Sequence, residues 1–80
     1  MTLVEGDVLR LSETCQAYVV GDFESVWLDV GTPVTVARVL GDHAIPSGYE
    51  LEAFVRERCR YALVTVRPHE IRAWLKALGK

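Results

Sequence analysis

The stretch Tyr49-Glu50-Leu51-Glu52-Ala53-Phe54-Val55-Arg56-Glu57-Arg58-Cys59-Arg60-Tyr61-Ala62-Leu63-Val64-Thr65-Val66 decides the fold. Tyr49, Leu51, Ala53 and Val55 fall on one face of its first half. Glu50, Glu52, Phe54 and Arg56 fall on the other. A period of two is the signature of a strand with one buried face. A short turn around Glu57-Arg58-Cys59 leads into Arg60 to Val66, rich in β-branched and aromatic residues. The two runs predict an antiparallel hairpin.

Working outward towards the N-terminus, Gly41 to Gly48 with Pro46 reads as a loop, and Val34 to Leu40 as a β-branched strand. Gly31-Thr32-Pro33 breaks the chain before it. Glu24 to Val30 alternates, with Val26, Leu28 and Val30 on one face and Ser25, Trp27 and Asp29 on the other. Residues 12–23 are expected to form a long loop-like stretch with a turn at Gly21-Asp22. Gly6-Asp7 opens a first strand, Val8-Leu9-Arg10-Leu11.

Towards the C-terminus the period changes. Pro68 suits the first position of a helix, where its missing N–H costs nothing. Ile71, Trp74, Leu75 and Leu78 then recur at i, i+3, i+4 and i+7, one helical face. Glu70 lies near the positive end of that helix and Lys76 near the negative end, and Gly79 is a stop signal. The reading is one mainly β domain over residues 1–80, with the strands in about 6–67 and a helix over about 68–78 docked by its apolar stripe.

The chain has 80 residues, half of them hydrophobic and a quarter charged. That balance belongs to a globular domain near the lower size limit for folding alone. Net charge is −2 at a pI of about 5.6, so the overall field does not attract phosphate backbones. The charge is uneven. Residues 1–40 hold six acids and two bases, and residues 41–80 hold five acids and seven bases. Met1-Thr2-Leu3-Val4-Glu5 has neither a basic region nor an apolar run, and no stretch approaches the roughly 20 apolar residues of a membrane span. No signal peptide and no membrane partner are expected, and the expected location is the cytoplasm. Cys15 and Cys59 are read as reduced thiols acting as small hydrophobes, ahead of a disulfide closing a long loop.

Gly6-Asp7-Val8-Leu9-Arg10-Leu11 resembles the "GDxVRL" opening of short bacterial SH3-like barrels. The likeness continues in order through Gly31-Thr32, through Tyr49-Glu50-Leu51-Glu52-Ala53-Phe54, which looks like their "YEVEF" strand, and through Ala62-Leu63-Val64-Thr65-Val66, similar to their last long strand. The resemblance covers roughly residues 6–66 in short pieces. It implies a five-stranded, partly open SH3-like barrel used as a binding or accessory module. Pro33 and Val34 stand where KOW-type members usually have a second glycine, and the helix over 68–78 is longer than their usual ending. Both departures count against carrying nucleic-acid binding over from the resemblance, and fold alone does not fix function.

Chemistry-bearing patterns are sparse. Cys15 or Cys59 with His43 or His69 could supply a nucleophile and a base, but no nucleophile elbow surrounds either cysteine. The same four residues match zinc in number, but lack the local ligand pairs that aim two donors at one ion. Glu50 and Glu52 share a strand face about 7 Å apart from the strand rise, which reads as a solvated polar face rather than a catalytic pair. No phosphate-cradling glycine motif occurs. The expectation is no catalytic residue, no metal and no cofactor.

Two groups remain as binding candidates. Arg56, Arg58 and Arg60 recur at every second position around the hairpin turn, with Phe54 and Tyr61 nearby as stacking aromatics. Glu50, Glu52 and Glu57 interrupt this patch. A solvated charged hairpin is its first reading, protein binding the second and nucleic-acid binding the third. Tyr18, Phe23 and Trp27 form the other group, and such aromatics are either core or anchors for a protein partner. The expected partner is another protein rather than nucleic acid. Homodimerisation is expected as well, because an open barrel has unpaired edges and Val34 to Leu40 is apolar enough on both faces to need cover.

Overall fold

A computed structural model describes residues 3–22 and 24–71. Six strands, β1 (Val8–Arg10), β2 (Cys15–Val19), β3 (Ser25–Leu28), β4 (Pro33–Gly41), β5 (Pro46–Val55) and β6 (Arg60–Val66), form one antiparallel sheet. Its order is β1-β4-β5-β6-β2-β3, curled into a half-barrel. The mainly β expectation holds, with six strands where five were expected.

The central hairpin is β5–β6, in a register running from Tyr49↔Val66 to Val55↔Arg60. The expected alternation is realised. Tyr49, Leu51 and Ala53 are buried and Val55 packs at the margin of the core, while Phe54 points outward. The turn is a 3₁₀ segment, Arg56–Arg58, ended by Cys59 in the left-handed region at φ 51°.

The additional strand is β2, which lies in the stretch expected to be a loop. Cys15, Ala17 and Val19 face inward and Gln16 and Tyr18 outward. The inward residues are mostly small and weak strand formers, so the period of two carried little hydrophobic contrast. The turn expected at Gly21-Asp22 is the β2–β3 connection, closed by Asp22 N–H donating to the Val19 carbonyl (3.2 Å). Pro46 and Ser47, expected in a loop, already belong to β5. The β4–β5 register shifts between Leu40 and Gly41, so the pairing passes from Leu40↔Gly48 to Gly41↔Pro46.

The β4 strand lies between β1 and β5, and its apolar side chains Val34, Val36 and Val39 are buried within the chain. It is therefore not an edge strand. The edges are β1 and β3. Beyond Val36, β4 outruns β1, and the Glu5 carboxylate instead accepts the Val39 N–H (3.2 Å). Glu5 also bonds the His43 ring (3.1 Å) and so ties the N-terminal segment to the β4–β5 connection.

The core fills the concave side, with Leu11, Leu51, Val34 and Val36 its largest fully buried side chains. Residues 68–71 form a helical turn that opens as the sequence predicts. Pro68 takes the first helical position, and Glu70 reaches back to accept the Arg67 N–H (2.9 Å), one half of a capping box. Ile71 is only 3% exposed and joins the core. The remainder of the expected helix, with Trp74, Leu75 and Leu78, lies outside the described residues.

Candidate functional site

Strand alternation places Tyr18 and Trp27 on the outer face of the sheet. Both are about two-thirds exposed, 66% and 67%. Phe23, the third member of the expected aromatic group, lies outside the described residues. Two further aromatics join the same face. Phe54 and Tyr61 are directly paired across β5 and β6, with ring centroids 5.3 Å apart in an edge-to-face arrangement. They remain 52% and 50% exposed.

The registers tie these positions into one surface. Tyr18 is opposite Leu63, Leu63 is opposite Glu52, and Tyr61 and Phe54 form the next row of that face. Val20 closes that row, since its N–H donates to the Tyr61 carbonyl (2.8 Å). Trp27 is opposite Gln16 and hence diagonal to Tyr18. The sequence named all four aromatics but put them in two groups. Without β2 there was no way to see that Tyr18 lies beside β6.

A cleft of about 640 Å³ opens where the half-barrel fails to close. One wall is Val26 to Asp29, along β3. The other is formed by Thr32, Pro33 and the end of the central hairpin, Phe54 to Arg58. The cleft therefore brings together Trp27, from the aromatic group, and Arg56 and Arg58, from the basic group. Neighbouring positions in the sequence gave no sign of this, because it depends on how far the sheet curls.

The three arginines have different surroundings. Arg58 forms ion pairs with Glu24 and Asp22, fastening the 3₁₀ turn to the β2–β3 connection. Arg60 donates to the carbonyls of Gly21 (3.3 Å) and Val20 (3.5 Å) in that same connection. Arg56 has no ion-pair partner among the described residues and lines the cleft. A patch of three arginines in sequence thus offers one uncommitted guanidinium at the cleft.

Of the remaining titratable groups, Glu5 pairs with His43 and Arg38 with Glu50. Cys15 is partly buried, and Cys59, expected to act as a small hydrophobe, is exposed. Both are free thiols. Burial pushes the Cys15 thiol up, and the negative charges of Glu13 and Glu70 push it the same way. Such a shift leaves it protonated and a poor nucleophile. Among the described residues, no three of His, Cys, Asp and Glu are grouped so as to hold a metal ion. No helix among them is long and apolar enough to cross a membrane.

Comparisons with protein-family models, with curated proteins and with solved structures find no match to this chain.

Proposed function

We propose that this chain is a non-catalytic protein-interaction module on an SH3-like scaffold, such as a small accessory subunit or an immunity- or antitoxin-like partner of a larger bacterial protein. The observation that carries the reading is the outer face itself. Tyr18, Trp27, Phe54 and Tyr61 are each half exposed or more on an 80-residue domain. Large aromatics are the side chains that supply most binding energy when a protein partner covers them. Exposed apolar surface concentrated in one patch on a small domain marks such a contact.

The second reading is a KOW-like nucleic-acid-associated domain using Arg56, Arg58 and Arg60. The engagement of Arg58 with Glu24 and of Arg60 with backbone carbonyls counts against it. The site in the favoured reading is Tyr18, Trp27, Phe54 and Tyr61, with Phe23 joined to them by the sequence pattern alone, and neither a reaction nor a cofactor is invoked. The module acts in the cytoplasm.

The test is retention of a protein partner from lysate of the source cells by tethered wild type, Trp27→Ala and Arg58→Ala. Trp27 is exposed, so its truncation leaves the core intact. The expected outcome is that Trp27→Ala loses the retained protein and Arg58→Ala keeps most of it, with little dependence on salt. Retention that survives Trp27→Ala but vanishes with moderate salt would favour the second reading.

A further inference from the structure

We infer that the cleft accepts an extended peptide segment that adds to β3 as a seventh strand, apolar at alternate positions, acidic at one end and basic at the other. The inference rests on the interaction-module reading and names the kind of partner that reading lacks.

The hydrogen-bonding direction of β3 follows from its ladder. Val19 N–H donates to the Glu24 carbonyl (3.1 Å), which extends the register Cys15↔Leu28 to Tyr18↔Ser25 by one pair. In an antiparallel ladder, successive residues turn their N–H and C=O groups to alternate sides. Glu24, Val26 and Leu28 therefore bond to β2, and Ser25 and Trp27 turn theirs to the free edge, while the Asp29 carbonyl beyond the strand accepts the Thr32 N–H (3.1 Å). No further strand pairs with β3 among the described residues.

Edges of this kind are ordinarily blunted by charge, proline or a bulge. Ser25-Val26-Trp27-Leu28 contains no charge and no proline, and its register with β2 is unbroken. The β1 edge differs. It has three residues, and its Arg10 side chain donates to the Gly31 carbonyl (2.9 Å). The unprotected edge is thus the one that lines the cleft.

The cleft supplies the side-chain chemistry. Inward-facing positions of an added strand would meet Val26 and Leu28 on β3 and Val55 across the gap. Outward-facing positions would lie beside Trp27. The two ends of the edge are electrically opposite. Asp29 follows the last residue of β3, whereas Glu24 at its start is already neutralised by Arg58. Arg56, on the same 3₁₀ turn as Arg58, is the cleft cation left without an ion-pair partner among the described residues, and Glu57 lies between the two on that turn. A ligand strand antiparallel to β3 therefore places a base early, opposite Asp29, and an acid late, towards Arg56. From Glu24 to Asp29 it needs about six residues at roughly 3.3 Å each.

The probe is a phage-displayed library of random octapeptides panned against the full chain. Selected sequences are expected to alternate apolar with polar residues, with a base near one end and an acid near the other. Ser25→Pro removes an N–H that β2 does not use, a placement that edge strands tolerate. It is expected to weaken the selected peptides roughly tenfold, the scale of one lost backbone hydrogen bond. Arg56→Glu, at an exposed position, is expected to select a base in place of the acid. Failure to enrich an alternating motif, or peptides that bind Ser25→Pro as well as wild type, would overturn the inference. A dimer of the free protein that Ser25→Pro dissolves would also overturn it, by giving the edge to a second copy. If Ser25→Pro retains the cellular partner while Trp27→Ala loses it, strand addition fails but the interaction reading stands on the outer face.

Discussion

Glu5 shows how one side chain can secure a segment that sheet pairing does not reach. Its carboxylate accepts the N–H of Val39 and lies against His43, in the stretch where β4 runs past the end of β1. Its own backbone N–H, then the Val39 N–H and then His43 hold its pKa below the ordinary carboxylate value. A carboxyl lowered in the folded state stabilises the fold at pH above its unfolded value. That contribution disappears as pH falls through the lowered one. Wild type should therefore lose melting temperature on acidification below about pH 4.5 more steeply than Glu5→Gln, with the two curves converging at the acid end. Parallel curves from pH 7 down to pH 3 would remove Glu5 from the acid response.

Among the elements, the β5–β6 hairpin carries the core and was also the clearest in the sequence. Leu51 is fully buried in the middle of β5, opposite Val36 on one side and Val64 on the other. Leu51→Ala should cost about 2–5 kcal/mol, a large part of the roughly 4–12 kcal/mol available to a domain of this length. Denaturant titration measures the loss, and a midpoint unchanged from wild type would show the site to be far more compliant than its burial implies. The same strand explains what sequence alone can deliver. Tyr49, Leu51 and Ala53 contrast sharply with Glu50 and Glu52, so both strand and face could be read. In β2 the inward residues are Cys15, Ala17 and Val19, whose small side chains give a faint contrast, so the sequence there reads as a loop. That reading left Tyr18 without a direction. For Trp27 the alternation with Val26 and Leu28 set it on the opposite face, but the sequence left open whether that face was core or surface. The capping of residues 67–70 was legible because Pro68 and Glu70 act locally. The cleft was not, since nothing local encodes the approach of β3 to the far end of β5.

For the whole molecule, charge and its commitments decide between the two classes of partner. The chain is acidic overall, with a net charge of −2. Affinity for a phosphate backbone comes mainly from releasing counterions, and each cation counts only if it is free to meet a phosphate. Arg58 would first have to leave Glu24, and Arg60 the carbonyls of Val20 and Gly21. Asp29 and Glu57 line the same cleft as Arg56, so a nucleic-acid strand entering there would meet like charge. The exposed aromatics could stack on bases, but stacking without a basic track to hold the backbone gives weak binding. We therefore expect no binding of generic duplex or single-stranded oligonucleotides at physiological salt, measured by fluorescence anisotropy up to high micromolar protein. At low salt a weak signal is expected to appear and to fall steeply as salt is added. Binding at micromolar or tighter affinity in physiological salt, lost when Arg56, Arg58 and Arg60 are replaced in a variant that still folds, would reverse the ranking. The outer-face aromatics would then be base-stacking groups, and the free β3 edge a secondary feature.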